Sequence, residues 1–402
     1  MKYVVLVGDG MGDYPIPELG NRTILEAART PNMDSLARAG FLGTAQTIPD
    51  GKEAGSDVAN MSIMGYDPVR NHSGRGPLEA GSMGVKLAGD EQAFRLNLVT
   101  LGFEGDRVYM RDHSAGHIGT EDAALLIDYL GRNLPLVDPR QRLHPGVSYR
   151  HLLVWPGLRD GLPTIPPHDY RDRDVSAYLN DPDPDFKPVL DLIRASWPLL
   201  KDHPLNRERE RNGKRPANSI WPWGQGRPPA MATYRERFNV SGAVVSAVDL
   251  IKGLGVYAGL EPLEVPGATG LVDTNFEGKV ATALKSLETG DYVLVHVEAP
   301  DEAGHQGDTD VKVRAVELFD EKIVGPMRRG LENLGVPFRI MVLCDHFTPI
   351  ALKTHSREPV PFILYPGAPP SGRPYTEAEA AAAGLHLEQG FMLADLLFGK
   401  EK

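Results

Sequence analysis

The sequence predicts an α/β fold in which a central, mostly parallel sheet is sandwiched by helices and interrupted by an inserted α+β segment. Three short apolar runs rich in β-branched residues, at 3–8, 292–297 and 339–344, predict strands buried on both faces of such a sheet. Between the last two runs, apolar residues recur at helical spacing. A helix between two strands implies a right-handed crossover and therefore parallel strands.

Length, charge and cysteine content limit the class of protein. A chain of 402 residues favours two domains, and its formal charge of −11 argues against nucleic acid or an anionic membrane as the main partner. No apolar stretch reaches the roughly 18 residues of a membrane-spanning helix. The single cysteine, Cys344, lies in an apolar run and excludes an intrachain disulfide. With no leader segment before the first strand, we expect a cytoplasmic protein, which could form a homo-oligomer.

The first elements follow directly from local signals. The strand at 3–8 leads into a glycine-rich turn, residues 8–13, that places Asp9 at the strand tip. Residues 30–40 predict a helix, because Thr30 can cap it, Pro31 fits its first turn and Gly40 can end it.

The middle of the chain differs from both ends. Residues 80–235 are rich in proline, and the runs 181–185 and 207–211 predict loops or solvated charged segments. The segment 221–226, with two tryptophans and two glycines, fits either a rigid loop or structural packing. Helical periodicity resumes after about residue 240. We therefore predict a core formed by residues 1–80 and 236–402, with residues 81–235 as an inserted cap that binds substrate.

Carboxylates and imidazoles follow the predicted strands at three distant places. The residues concerned are Asp9, Asp301, His305, Asp345, His346 and His355. Because ligands bind beyond the carboxyl ends of parallel strands, these groups should meet at one sheet edge. Six oxygen and nitrogen ligands without a thiolate suit two divalent ions, Mn, Co, Zn or Mg, better than a structural zinc. Loop capping or simple surface exposure could explain each residue alone but explains the whole set poorly.

Ser56 is the candidate nucleophile. It follows Gly55, which leaves room for a close approach, and apolar periodicity after it predicts a helix that begins there. The N-terminus of a helix offers free N–H groups to phosphate oxygens. The alternative is that Ser56 only caps this helix, which is the commoner role of serine in that position.

Five motifs stand in an order typical of a known family. They are Asp9-Gly10-Met11-Gly12-Asp13, Thr30-Pro31-Asn32, Gly55-Ser56-Asp57-Val58-Ala59-Asn60-Met61-Ser62, Ala299-Pro300-Asp301-Glu302-Ala303-Gly304-His305 and Asp345-His346. Over nearly its whole length the chain resembles the alkaline phosphatase superfamily, and within it the archaeal-type branch of the cofactor-independent phosphoglycerate mutases. The resemblance implies an alkaline phosphatase-like core, two metal ions and no 2,3-bisphosphoglycerate.

The resemblance also implies roles for individual residues. Asp301, His305 and His355 would hold one metal ion, and Asp9, Ser56, Asp345 and His346 the other. Ser56 would take the phosphoryl group of 3-phosphoglycerate as phosphoserine and return it to give 2-phosphoglycerate. The cap would act as a lid that retains glycerate and excludes water. Lys252 resembles the family's active-site lysine and would neutralise phosphoryl charge; the less favoured alternative is a solvated helix lysine.

The cap should supply arginines, since the guanidinium group suits both carboxylate and phosphate. The candidates are Arg75, Arg111, Arg150 and Arg215. Asp112 or His113 could move protons between the two glycerate hydroxyls.

Other functions remain open at this point. A homoserine kinase-like or phosphopentomutase-like phosphotransferase could use the same core, and so could a metal-dependent phosphatase. The absence of a formylglycine motif argues against a sulfatase, and the absence of a P-loop weakens an ATP-dependent kinase. A non-catalytic metal-binding protein is the alternative from a different class, but it would have no need of Ser56.

Overall fold

The computed structural model describes residues 1–400, which fall into two compact units. The first unit combines Met1–His72 with the chain from Ala230 onward, and the second is Ser73–Pro229. Both breaks come before the predicted boundaries at 80 and 235. One reason is that the helix Arg75–Ser82 packs closely on the second unit's sheet, where a Cβ on Gly76 would lie 2.1 Å from the carbonyl oxygen of Ala93.

The strands and helices alternate through the first unit and are mixed in the second. The strands of residues 1–400 are β1 Lys2–Gly8, β2 Phe41–Ala45, β3 Glu91–Glu104, β4 Arg107–Asp112, β5 Arg142–His144, β6 Arg150–Pro156, β7 Ser219–Gly226, β8 Gly242–Val245, β9 Glu261–Leu263, β10 Tyr292–Val297, β11 Phe338–Leu343, β12 Val360–Tyr365 and β13 His386–Leu387. The α-helices are α1 Ile24–Ala27, α2 Pro31–Ala39, α3 Ser56–Ile63, α4 Pro68–Asn71, α5 Arg75–Ser82, α6 Thr120–Asn133, α7 Ser176–Leu179, α8 Lys187–Lys201, α9 Pro204–Arg211, α10 Tyr234–Phe238, α11 Asp249–Tyr257, α12 Phe276–Thr289, α13 Ala299–Gln306, α14 Thr309–Phe319, α15 Gly325–Asn333, α16 Glu377–Ala382 and α17 Met392–Phe398. Short 3₁₀ turns occupy Pro17–Leu19 and Pro167–Tyr170, and a π-helical turn, Asp320–Val324, joins α14 to α15.

The first unit is a mixed α/β domain around one large sheet, as predicted. The strand order is β13-β2-β12-β11-β1-β10-β8-β9. The pairs of β1 with β10 and β11, and of β10 with β8, are parallel, whereas β12 runs antiparallel to both of its neighbours. The central strands are buried almost throughout, which agrees with their continuous apolar sequence. This arrangement brings the carboxyl ends of β1, β8, β10 and β11 to one edge.

Helix α2 begins where predicted, but Thr30 does not cap it. The Thr30 side chain makes no capping hydrogen bond. Instead Asp320 accepts hydrogen bonds from the backbone N–H groups of Asn32, at 3.2 Å, and Met33, at 2.7 Å. The expected local cap is therefore replaced by a carboxylate from a distant helical turn.

The second unit has an antiparallel sheet built around the long strand β3. Strand β3 pairs with β4, β6 and β7, and β6 also pairs with β5. The segment 221–226 belongs to β7 and is not a loop; Trp221 is fully buried and stacks on Tyr178. The charged run 207–211 lies in helix α9, and Arg209 is buried rather than solvated.

None of the helices in residues 1–400 combines the length and the apolar character that spanning a lipid bilayer demands.

Candidate active site

The predicted ligand residues gather at the carboxyl edge of the large sheet. Asp9 directly follows β1, and Asp345 follows β11 after one residue. Asp301 is not at a strand tip as expected, because β10 ends at Val297 and Asp301 lies in the first turn of α13. Pro300 fits the start of that helix. The four-residue spacing to His305 therefore places both side chains on one helix face.

One cluster contains Asp301, His305 and His355. The Nε2 atom of His305 lies 3.2 Å from Asp301 Oδ2, and the Nε2 atom of His355 lies 3.5 Å from Asp301 Oδ1. The two Nε2 atoms are 3.1 Å apart. The potential ligand atoms of these three residues therefore lie close together.

A second cluster surrounds His346. Its Nε2 atom lies 3.1 Å from Ser56 Oγ, 3.4 Å from Asp9 Oδ1 and 3.5 Å from Asp345 Oδ2. Asp301, His346 and His355 also offer ligand atoms that all lie within 4.8 Å of one another. His346 therefore stands between the two clusters rather than in one alone.

The outward Nδ1 atoms of the three histidines have acceptors or hydroxyls beside them. His305 Nδ1 lies 3.1 Å from the carbonyl oxygen of Lys353, and His355 Nδ1 lies 3.2 Å from that of Ala54. A carbonyl only accepts, so each of these Nδ1 atoms carries the proton. His346 Nδ1 lies 3.3 Å from Thr348 Oγ1. With Nδ1 protonated, Nε2 is the atom that His305 and His355 would offer to a metal ion in place of its own proton.

The carboxylates are crowded and incompletely bonded. Burial, followed by the charges of Asp345 and Asp301, raises the pKa of Asp9 well above its ordinary value. The Asp9 Oδ1 atom is buried without a hydrogen-bond donor. Burial also opposes ionisation of Asp301, but hydrogen bonds from His305 and His355 outweigh it and lower the pKa of Asp301. Divalent cations would compensate this negative charge and coordinate the free oxygen, so the residues fit a metal centre.

The Ser56 hydroxyl is not used as a helix cap. Ser56 is the first residue of α3, and the preceding Gly55 holds the capping position without a side-chain bond. The hydroxyl instead meets His346. Asn60, one turn later, donates to the Ser56 carbonyl at 2.9 Å and to Asp345 Oδ2 at 2.8 Å. The start of this helix is thus tied directly to the ligand cluster.

Gly10 explains how the turn after β1 comes so close to Asp301. Its φ of +62° lies in the left-handed region, and an added Cβ would fall 2.8 Å from Asp301 Oδ1. Only glycine satisfies both conditions. The predicted role of the glycine-rich turn therefore extends to close packing between ligand-bearing segments.

His296 and two lysines support the same edge. His296, which lies inside the apolar run of β10, places Nε2 3.0 Å from Asp9 Oδ2. Lys279 donates to the His296 carbonyl at 3.0 Å, and burial lowers the pKa of Lys279 to about 8. Lys252 is also buried and pairs with Glu264 at 2.7 Å, so it is not a solvated helix lysine. The charge of Lys252 contributes to the lowered pKa of Lys279.

In the second unit, two of the predicted arginines lie in a cationic cluster. We call Arg75, Arg95, Arg150, His113 and His168 the arginine–histidine cluster. A Cβ on Gly224 would lie 3.8 Å from Arg75 Cβ and 3.9 Å from Arg95 Cδ. Burial lowers the pKa of Arg95, and the charges of Arg75 and Arg150 lower it further. Arg95 lies 4.5 Å above the ring of Trp223, which contacts His168.

His113 has a neutral imidazole in this cluster. Burial lowers the pKa of His113 below its ordinary value, and its Nδ1 atom is buried without a partner. Its ring meets those of Tyr149 and His168. Such an imidazole can accept a proton at neutral pH.

The other cap candidates make local contacts. Arg111 pairs with Glu104 and Asp172, and Arg215 pairs with Asp112 at 3.2 Å. Asp112 also accepts from the backbone and hydroxyl of Ser114, at 2.8 and 2.6 Å. Burial raises the pKa of Asp112, but these bonds outweigh it and lower the pKa. Asp112 therefore stabilises a tight turn as an ionised carboxylate.

Within each unit, several residues that contact the candidate groups carry no clear signal in the sequence. They are Asn60, His296, Lys279, Lys312 and Thr348 in the first unit and Arg95 and His168 in the second. A histidine in the apolar run of β10 was the one available signal. Lysine and arginine are usually exposed, so nothing in the sequence marked these as buried.

Known proteins resemble the chain over its full length. Residues 37–206 match the family described as 2,3-bisphosphoglycerate-independent phosphoglycerate mutase. The protein of that name from Methanosarcina acetivorans is 51% identical, over 99% of both chains. A solved structure from Pyrococcus horikoshii has a TM-score of 0.80 at 29% identity and covers 100% of this chain and 98% of its own. The cofactor-independent phosphoglycerate mutase of Thermoplasma acidophilum has a TM-score of 0.67 at 28% identity, over 100% of both chains.

Identity of about one half across the whole length shows that the chain shares the fold of these relatives. The motifs around Asp9, Ser56, Asp301 and Asp345 supply the groups that meet at the sheet edge. The chain belongs to the family of 2,3-bisphosphoglycerate-independent phosphoglycerate mutases.

Proposed function

We propose that this isomerase interconverts 3-phosphoglycerate and 2-phosphoglycerate through a phosphoserine on Ser56, without 2,3-bisphosphoglycerate. The observation that carries the proposal is the position of the Ser56 hydroxyl, which does not cap α3 and lies 3.1 Å from His346 Nε2 among the ligand groups. A binding protein would have no need of a hydroxyl at that place. We infer the substrate from the names of the related proteins, which are phosphoglycerate mutases.

A pair of divalent ions completes the proposed site. The residues that would hold them are Asp9, Ser56, Asp301, His305, Asp345, His346 and His355. When bound, such ions supply positive charge for the phosphoryl oxygens and favour loss of the serine proton. The uncoordinated Asp9 Oδ1 atom and the inward Nε2 atoms of His305 and His355 support this assignment.

The reaction has two balanced halves. In the first, the Ser56 hydroxyl loses its proton and Oγ forms a bond to phosphorus, while the bond between phosphorus and oxygen 3 of glycerate breaks and that oxygen gains a proton. In the second, oxygen 2 of glycerate attacks phosphorus and loses its proton, and Ser56 Oγ leaves and regains one. His113 is better suited to move this proton than Asp112, because Asp112 is held ionised by Ser114 and Arg215.

Glycerate must be retained between the two halves, or water would hydrolyse the phosphoserine. We propose that the second unit is the cap that does this and that its arginine–histidine cluster binds the substrate's carboxylate or phosphate. The positive charges of Arg75 and Arg150 beside Arg95, which itself pairs with Glu79 at 2.9 Å, support an anion site. Lys252 would balance phosphoryl charge. Cytoplasmic location and homo-oligomerisation stay predictions.

A single assay tests the proposal. The protein is incubated with 3-phosphoglycerate and Mn²⁺, without 2,3-bisphosphoglycerate, and both 2-phosphoglycerate and free phosphate are measured. We expect 2-phosphoglycerate as the main product, no turnover by Ser56→Ala, and phosphate on Ser56 by mass spectrometry after rapid quenching. Ser62→Ala is the matched control, because Ser62 lies on the same helix but donates to the Thr47 carbonyl.

Two results would contradict the proposal. Turnover by Ser56→Ala at the wild-type rate would exclude the covalent route. Free phosphate as the main product of the wild-type protein would instead indicate a metal-dependent phosphatase.

A further inference from the structure

A fully buried lysine lies beside the metal-ligand loops without belonging to the ligand set. Lys312, on α14, has no exposed side-chain surface. Its ammonium donates to the carbonyl oxygen of Gly12 at 3.1 Å, to Asp13 Oδ2 at 2.8 Å and to the carbonyl oxygen of Thr348 at 2.8 Å. An ammonium group is costly to bury unless its hydrogen bonds are satisfied. The three acceptors around Nζ match its three donors.

These acceptors belong to two separate ligand-bearing loops. Gly12 and Asp13 end the turn that begins at Asp9, after β1. Thr348 ends the Asp345–His346 segment, after β11, and its backbone N–H donates to the Gly12 carbonyl at 3.3 Å. The ammonium of Lys312 therefore joins the two loops at the point where they cross.

The contact continues to Asp301. The Thr348 hydroxyl donates to Asp301 Oδ1 and lies 3.3 Å from His346 Nδ1. Lys312 therefore bonds the backbone carbonyl of Thr348, and the hydroxyl of Thr348 orients Asp301 and His346.

Helix α14 itself is anchored to the third ligand-bearing segment. Asp308, which directly follows α13 after Gly307, caps α14 by accepting from the Val311 N–H at 3.0 Å. The backbone N–H of Lys312 donates to the Asp308 carbonyl at 3.0 Å. Only a short turn separates this cap from His305. The β1 loop and the β11 loop therefore meet at the Lys312 ammonium, and the turn that follows α13 bonds the backbone of the same residue.

We propose that Lys312 is a positioning residue that sets the mutual placement of Asp9, Asp301 and His346 and thereby the affinity of the centre for divalent metal. This inference rests on the metal centre of the proposed function. Lys312 touches neither metal nor substrate, and it acts through Thr348 and the turn that ends at Asp13. A lysine that only stabilised the fold would change unfolding without changing metal affinity in the folded protein.

The test compares Mn²⁺ binding with stability in three variants. Lys312→Met removes the ammonium and keeps the apolar stem. Asp13→Asn is the milder change, since it removes the charge from one acceptor and leaves both carbonyl contacts. Val316→Ala, one turn further along α14 and fully buried, is the control that weakens packing without touching the ligand loops.

Metal-stripped protein is titrated with Mn²⁺ by calorimetry, and the thermal transition of the metal-free protein is recorded separately. We expect Lys312→Met to weaken Mn²⁺ binding by about 10- to 100-fold, as loss of groups that orient ligands does, and Asp13→Asn by a smaller factor. Val316→Ala should lower the transition temperature but keep Mn²⁺ affinity within about twofold of wild type.

The possible failures are distinguishable. If Lys312→Met lowers the transition temperature but binds Mn²⁺ as tightly as wild type, the positioning role is refuted while the metal centre stands. If Lys312→Met does not fold, Asp13→Asn decides in the same way: unchanged Mn²⁺ affinity refutes the role, and weakened affinity at wild-type stability supports it. If the wild-type protein binds no Mn²⁺, the metal centre of the proposed function is refuted, and this inference with it.

Discussion

Replacing Glu377 by glutamine should reduce the loss of unfolding free energy that the protein suffers as pH rises. Glu377 begins α16, and its carboxylate accepts from the Asp13 N–H at 3.2 Å and from the Thr23 hydroxyl at 2.7 Å. Burial raises the pKa of Glu377 from 4.5 to about 7, against the opposing effect of the Thr23 hydrogen bond. The folded protein therefore keeps this carboxyl protonated at a pH where the unfolded chain has lost the proton.

The sign and size of the effect follow from that difference. Below pH 4.5 both states are protonated, and above about pH 7 both are ionised, so stability is lost as pH rises between these values. A pKa difference of this size corresponds to about 3 kcal/mol. Solvent reaches part of the residue and screens the charge, so we expect about 2 kcal/mol in the free energy of unfolding.

Urea unfolding of metal-free protein at pH 5 and pH 8 measures this effect. Glutamine can keep both contacts, since its oxygen accepts from Asp13 and its amide can donate to the Thr23 hydroxyl. Wild type should therefore lose about 2 kcal/mol more than Glu377→Gln between the two pH values. Glu388→Gln is the control, because the Glu388 side chain is 88% exposed, and its unfolding free energy should change between the two pH values by as much as that of wild type. Equal pH dependence of wild type and Glu377→Gln would refute the reasoning.

Three further perturbations have expected outcomes. Asp320→Ala removes the carboxylate that caps α2, so the free energy of unfolding should fall by about 1–3 kcal/mol in urea titrations, and no change would exclude this cap. Arg150→Met should raise KM for 3-phosphoglycerate about tenfold and leave Mn²⁺ affinity unchanged. Arg107→Met, on the exposed surface of the same unit, should leave KM unchanged. Equal KM values for the two variants would show that Arg150 does not belong to the anion site. Chelation by EDTA should lower the thermal transition temperature relative to protein with excess Mn²⁺. The difference should correspond to about 3 kcal/mol when the Mn²⁺ concentration is one hundred times its dissociation constant. Identical transition temperatures would argue against a structured metal centre.

The sheet and the convergence of the candidate ligand residues were predictable because both depend on patterns that are local in sequence. Asp9 and Asp345 follow buried apolar runs, and the carboxyl ends of parallel strands share an edge, so their meeting needed no knowledge of side-chain packing. The placement of Asp301 differed by a few residues, since an apolar run does not reveal where a helix replaces the strand. Pro300 was the local clue to that change.

The supporting contacts were not predictable for the opposite reason. The cap of α2 comes from Asp320, which is 288 residues from Asn32 in sequence, and local rules could only nominate Thr30. Lys312 and Arg95 belong to residue types that usually lie at the surface. Their burial is decided by which distant carbonyls and rings surround them, and that information emerges only with the tertiary structure.

The π-helical turn between α14 and α15 has a consequence for how the chain tolerates change. Gly325 donates to the Asp320 carbonyl, so this turn contains one residue more than a regular α-turn. Each residue rotates an α-helix by about 100°, so 19 positions of regular α-helix would turn Leu331 about 100° away from Lys312; the π turn absorbs the extra residue, and both side chains face inward. Deleting one residue from the turn would restore an uninterrupted α-helix with 18 positions between them, which is about five full turns, so both side chains would still face inward. The wide hydrogen-bonded turn therefore keeps the two parts of the helix in phase despite the extra residue, and we expect loss of that one residue to be tolerated better than a deletion elsewhere in α14 or α15.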